Sequence, residues 1–206
     1  MSGRLPERAA PEACQTSGAP LELETADFPP PFSARMALPG EDVRRAAIRA
    51  ARTGELGAAD ILWGFDGLKL EMVIVLEPDE PLEKAREMGD VLARAATDAL
   101  ASLLPPQVAI SAGGDGIVTI NGGMAGRVFL DASTDEPCEV PVWLNAGLTL
   151  RIHREEGLEG GQAPQEAVVS EEGGGRLSPA TLAAEAARHF LLRLDEWRND
   201  HARISS

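Results

Sequence analysis

From Leu68 to Leu76 the chain is almost continuously apolar, broken only by Lys69 and Glu71. An apolar run of this length, bounded by turn residues, predicts a strand in the middle of a sheet. Side chains alternate along a strand, so Lys69 and Glu71 share one face. Upstream the period changes. After the Pro39-Gly40 turn, Val43, Ala47, Ala50 and Ala51 form the inner face of a helix from Glu41 to about Arg52, with acids at its start. Gly54 and Gly57 end it. Ile61-Leu62-Trp63 reads as a short strand, and Gly64-Phe65-Asp66-Gly67 as the tight turn leading into the long one.

Pro81 opens the longest stripe of the chain. Leu82, Ala85, Met88, Leu92, Ala95 or Ala96, Ala99 and Leu103 recur at three- and four-residue steps, predicting one helix as far as Leu104, stopped by Pro105-Pro106. Alternation then predicts strands at about 107–111, 116–120, 125–130 and 140–153, the last bent near Asn145-Ala146-Gly147. Asn121-Gly122 is a strong hairpin signal. Residues 154–176 are rich in Gly and Glu and read as a mobile loop. Ser178-Pro179 starts a last helix whose buried face holds Leu182, Ala186, Phe190, Leu194 and Trp197.

Helices laid against one mixed or mostly antiparallel sheet make an α+β domain of two layers. The domain is expected over 27–200, with a flexible tail at 1–26 and a short one at 201–206. Phe28-Pro29-Pro30-Pro31-Phe32 is a stiff lead-in anchored by its two phenylalanines.

Composition narrows the function by exclusion. The net charge of −14 with no basic stripe argues against binding nucleic acid. No apolar run approaches the ~20 residues of a membrane span, and the N-terminus lacks a signal-peptide core, so a cytoplasmic protein is expected. Cys14 and Cys138 suggest neither a disulfide framework nor a metal site, and the three histidines lie far apart. Phosphate-loop, nucleophile-elbow and dinucleotide fingerprints are absent.

The candidate chemistry lies in a few residues. The run from Ile110 to Val128 joins three strands through a glycine-rich turn, Gly113-Gly114-Asp115-Gly116, and the Asn-Gly turn. Asp115 is either a turn carboxylate capping backbone N–H groups or a carboxylate facing a ligand. Arg127, after Gly126, is a donor to phosphate or carboxylate, or else a surface ion-pair residue. Trp63 is a pocket wall or a core residue. Lys69, on an apolar strand, must snorkel, pair or face a cavity.

The order of elements resembles the catalytic domain of the biotin and lipoate protein ligases, in particular a divergent bacterial branch. In that family a carboxylic acid is activated with ATP to an acyl-adenylate and passed to a lysine of a carrier domain. The family's Lys-Trp-Pro-Asn-Asp, short strand, Asn-Gly turn and Lys-x-x-Gly resemble Ser111 to Arg127, with Asp115, Asn121-Gly122 and Gly126 at matching places. Asn145-Ala146-Gly147-Leu148 stands where the family has Gly-x-Gly-Ile-Asn. Ser170-Glu171-Glu172-Gly173 resembles its glutamate-rich turn.

The resemblance implies ATP with Mg, a biotin- or lipoate-like acid, a biotinyl or lipoyl carrier domain as partner, and subunit pairing or carrier docking at an exposed sheet edge. It implies a binding role for Trp63, Gly113, Gly114, Asp115, Asn121, Gly126 and Gly147. The family's Gly-Arg-Gly-Arg loop has no counterpart between the second strand and the long one. Ser111 or Ala112, and Gly123 or Met124, stand where the family has lysines. Lys69 and Arg127 are therefore the expected replacements for the missing cations. Two readings remain: a divergent acyl-adenylate-forming ligase, and a ligase-like domain that binds a small molecule or a protein without ligating it.

Overall fold

The computed structural model describes residues 27–155 and 165–204. The expected tail over 1–26 and the middle of the expected loop, 156–164, lie outside the described residues. Seven strands form one sheet: β1 (Ser33–Met36), β2 (Asp60–Phe65), β3 (Lys69–Leu76), β4 (Ile110–Ala112), β5 (Ile117–Ile120), β6 (Gly123–Ala132) and β7 (Leu144–Arg151). Their spatial order is β1-β2-β3-β7-β6-β5-β4. Only β1 and β2 run parallel; every other neighbouring pair is antiparallel. The α+β architecture is as expected, and β3 takes its central place between β2 and β7.

Alternation along the central strands divides the sheet into two faces. Leu70, Met72 and Ile74 of β3, with Leu144, Ala146, Leu148 and Leu150 of β7, point into the main core. There they meet α3 (Met88–Leu103) and α4 (Pro179–Ile204). Phe190 of α4 is fully buried among them. Val73 and Val75 point the other way, into a smaller cluster built on α1 (Val43–Thr53). Asp42 caps α1 by accepting from the Arg45 N–H at 2.9 Å, and Gly54 closes it with φ 72°. Ser178 likewise caps α4, accepting from the Thr181 N–H. Phe28 and Phe32 anchor the lead-in against Trp63 and Phe190, at ring centroid distances of 6.2 and 6.5 Å.

Several boundaries shift from the sequence reading: the last helix continues to Ile204, into the expected tail at 201–206, and the strands expected at 107–111 and 140–153 become Ile110–Ala112 and Leu144–Arg151. Four further differences have a local reason. The expected turn at 64–67 is shorter, because Gly64 and Phe65 still pair with Glu71 and Leu70. Gly64 serves α1 packing: a Cβ there would lie 2.9 Å from Val43 Cγ2. The single helix expected over 81–104 breaks into α2 (Leu82–Ala85) and α3. At the break Glu87 and Gly89 donate to the carbonyls three residues back, which tightens the chain. β7 keeps continuous register on both sides through Asn145–Gly147 instead of bending. Residues 165–176 are not a free loop. Ala167, Val168 and Val169 are buried, and the turn Ser170–Gly174 is tied down by Glu171 to Arg154 and by Glu172 to Asn121.

Candidate functional site

α1 covers only part of its face of the sheet, lying against β2, β3 and β7. Beyond its N-terminus, among the described residues, the face carries the exposed Lys69 and Arg127 and forms a floor. Strand register places Gly64, Glu71, Thr149, Arg127 and Ile117 in one row across five strands. The next row sets Lys69 beside Arg151. Lys69 and Arg127 are exposed, while Glu71, Thr149 and Arg151 are half-buried. With strands ~4.8 Å apart, the Glu71 and Arg127 backbones stand about 10 Å apart, with Thr149 between them.

One wall of this floor is built by packing. Phe129 lies over Gly147, where a Cβ would come within 2.1 Å of the ring. The Arg44 guanidinium sits 4.5 Å from the centre of the Phe129 ring and holds Asp131 through two hydrogen bonds of 2.8 and 2.7 Å. Arg44 is thus fixed by stacking and by a bidentate pair. The opposite end is the β2–β3 turn, where Asp66 accepts from the N–H groups of Leu68 and Lys69 at 2.9 and 2.7 Å. Arg151 is paired with Glu166. Neither the Lys69 nor the Arg127 side chain makes a hydrogen bond or ion pair to another described residue.

Glu71 is the electrostatic exception. Burial, then the charges of Asp42 and Asp66, push its carboxyl above the ordinary carboxylate value; Lys69 and the Thr149 hydroxyl oppose this. Thr149 donates to it across a long 3.5 Å. An acid whose folded value is raised above the unfolded one destabilises the fold once pH exceeds both, and the cost disappears as pH falls below both. Glu71→Gln is therefore expected to raise the melting temperature at pH 7 by on the order of 1 °C and to leave it unchanged near pH 3.5. Thermal unfolding of both proteins at the two pH values checks this.

The structure brings Lys69 and Arg127 onto one face, but separates the other candidates. Trp63 points into the main core on the opposite face, against Phe28. Gly126 is buried on that side too, under the Thr149 carbonyl and Leu150. Asp115 accepts from the Ile117 N–H at 3.1 Å, the geometry of a turn carboxylate, in the same turn as Gly113 and Gly114. Asn121 lies at the other end of β5, accepting from Ala109 and donating to Glu172 at 2.6 Å. Gly147 lies under Phe129 beside the floor. Glu71, Thr149 and Arg151 complete the floor; the period-two alternation that paired Lys69 with Glu71 was the signal for Glu71, while Thr149 and Arg151 join it through the β3–β7 pairing.

Among the described residues, two concavities lie elsewhere. One of about 520 Å³ runs beside Arg45, Arg49 and Arg52 on the outer side of α1; Arg45 and Arg49 are already paired with Asp42 and Glu41. The other, of about 240 Å³, is lined by Asp131, Thr134, Trp143 and Leu82. Neither contains Lys69 or Arg127, so the floor stands out for its unpaired cations and not for depth. Beside Asp131 in the β6–β7 ladder, the amide of Asn145 is fully buried, with neither polar atom partnered among the described residues.

The model of the biotin/lipoate A/B protein ligase family matches residues 28–205. The chain belongs to this family. A biotin protein ligase-like protein of unknown function from Silicibacter sp. TM1040 is 33% identical, with TM-score 0.76, over 85% of this chain and 75% of that one. Biotin protein ligase from Aquifex aeolicus, solved with biotin and ATP, is 12% identical with TM-score 0.61, over 81% of this chain and 72% of that one. The Leishmania major ligase with biotinyl-5-AMP is 12% identical with TM-score 0.56, over 83% of this chain and 81% of that one. At such identities the two ligases share the fold. No curated protein matches this chain.

The connection between β2 and β3, where the resemblance leads one to expect an arginine loop, is short. Asp66, Gly67 and Leu68 make up the whole connection, and it carries no arginine. Among the described residues, no three His, Cys, Asp or Glu side chains converge as a metal site, and no helix is long and apolar enough to cross a membrane. The floor's charges suit an anion better than a divalent cation.

Proposed function

We propose that this ligase-family chain binds a small carboxylic acid on the floor, with Arg127 and Lys69 holding the carboxylate. One observation carries the reading: two exposed cations, unpaired among the described residues, rise from the same sheet face within two rows of each other. A planar guanidinium suits a carboxylate or one phosphate oxygen pair, and the lysine adds a point charge. The biotin and ATP held by the Aquifex ligase, and the biotinyl-5-AMP held by the Leishmania one, support an acid related to biotin or lipoate.

The family match favours a second step. The acid's carboxylate oxygen attacks the α-phosphorus of ATP and pyrophosphate leaves; a carrier lysine amine then displaces AMP, forming the amide. Arg127 and Lys69 would neutralise charge on the carboxylate and α-phosphate, the work of the absent arginine loop. Among the described residues Glu71 is the one carboxylate in the floor's central row, and no part of this reading runs through Mg. A biotinyl or lipoyl carrier domain is the proposed partner, docking at the β1 or β4 edge, either of which also offers a homodimer contact. A cytoplasmic setting, where ATP and carriers meet, goes with it.

Calorimetric titration with biotin, lipoate and their non-hydrolysable adenylate analogues tests the reading. Micromolar binding by the wild type is expected, with Arg127→Ala and Lys69→Ala each weakening it about tenfold, or about 1.4 kcal/mol. A folded wild type that binds none of the four would remove biotin and lipoate from consideration. Binding of an adenylate analogue followed by labelling of a carrier would establish the ligase step; binding without labelling would leave an acid-binding protein.

A further inference from the structure

We propose that Glu71 marks a subsite for a primary ammonium group, immediately beside the carboxylate held by Arg127. The proposal rests on the reading of the floor as an acid site. Glu71 stands in the same row as Arg127, one strand on the other side of Thr149. Its only hydrogen bond among the described side chains is the 3.5 Å contact from Thr149. It is half-buried, so water solvates it poorly, and the acids nearest it, Asp42 at the α1 cap and Asp66 in the β2–β3 turn, add negative charge where Lys69 and Arg44 only partly compensate.

A half-buried carboxylate in a net negative corner is costly to keep, and a bound cation relieves that cost by Coulomb attraction and by a charge-assisted hydrogen bond. A neutral ligand atom would leave the cost in place. Such groups concentrate at sites of function. The spacing sets the ligand. Backbones about 10 Å apart, with both side chains rising from one face of the sheet, bring an ammonium on Glu71 and a carboxylate on Arg127 within the length of one small molecule. That span suits an amino group a few carbons from the carboxyl. It equally suits a separate lysine ammonium drawn up against a bound acid. Both present the same group to Glu71.

Protein-observed NMR titration separates the two sources. The probes are pentanoate, 5-aminopentanoate, and Nα-acetyl-lysine methylamide added with pentanoate present, each against the wild type and Glu71→Gln. The expected result is that 5-aminopentanoate binds the wild type at least tenfold more tightly than pentanoate, and that Glu71→Gln abolishes this ratio while keeping pentanoate binding. Glu71-dependent binding of the lysine derivative on top of pentanoate supports the proposal with a separate amine as the source. Equal affinity for pentanoate and 5-aminopentanoate, together with no Glu71-dependent lysine binding, overturns the ammonium subsite and leaves the acid site standing. Failure of pentanoate and both amines to bind overturns the acid site along with it. Because Glu71→Gln keeps the shape and removes an unfavourable charge, it is expected to fold, and its spectrum verifies that.

Discussion

Gly126→Ala is expected to destabilise the protein by about 3–5 kcal/mol, among the larger effects a single methyl group can have. The cause is the sheet itself. Gly126 pairs with Val118 on one side and Leu150 on the other. The register then slips, since the next pair is Thr119 with Met124, so Ala125 is an extra residue bulged out of the ladder. The bulge presses the β6 backbone onto β7. A Cβ on Gly126 would lie 2.2 Å from the Thr149 carbonyl oxygen and 2.6 Å from Leu150 Cδ2. The first is backbone in the middle of a sheet and has nowhere to go. At about 2–4 °C per kcal/mol for a chain of this size, the melting temperature falls by roughly 10 °C. Since Thr149 lies between Glu71 and Arg127, the same substitution is expected to weaken ligand binding. Thermal unfolding measures the first effect. A shift of less than 2 °C would mean that β6 and β7 are not packed as described.

The sequence made the fold legible wherever one period ran long enough. The continuous run of β3 located the centre of the sheet, and the stripes at Leu82–Leu103 and Leu182–Trp197 located the helices that cover one face. Periodicity failed at Gly64, where a glycine that looks like a turn is a contact point for Val43 of α1. It failed again at 165–176, where a polar Gly/Glu composition conceals the buried Ala167-Val168-Val169 run and the pairing of Glu171 and Glu172 with distant partners. Both depend on contacts with remote chain that a local window does not contain.

The site was half legible for a related reason. Lys69 and Glu71 share a face by alternation within one strand. That Arg127 joins them depends on β7 lying between β3 and β6, an order set by nonlocal pairing. Glycines are harder to read than charges, because a glycine kept for a neighbouring side chain looks in sequence like one kept for a ligand. Gly126 and Gly147 have such neighbours, and Asp115 has the N–H that a turn aspartate finds.

Gly147→Ala carries the second large effect, about 2–3 kcal/mol, and unlike Gly126 it is expected to be rescued. The group above Gly147 is a side chain: a Cβ would meet three atoms of the Phe129 ring at 2.1–2.7 Å. Phe129 has to leave, and it takes with it the stacking of Arg44, whose ion pair with Asp131 is oriented by that ring. Removing the ring first removes the clash. Phe129→Ala alone is expected to cost about 2–3 kcal/mol, since the ring is only half-buried, whereas the double substitution costs much less than the sum of the two. Residues in contact are where additivity fails. The cycle also bears on the site, because Phe129 and Arg44 wall the floor on the side of Gly147. If Gly147 is small only to accommodate Phe129, the double variant keeps its affinity for the acid probes within about threefold of Phe129→Ala. If the acid itself approaches the Gly147 backbone, the added methyl weakens binding further in the double variant, although the ring is already gone. Chemical denaturation gives the stability cycle and calorimetry gives the affinities. Additive stability losses would show that Phe129 does not occupy the space over Gly147.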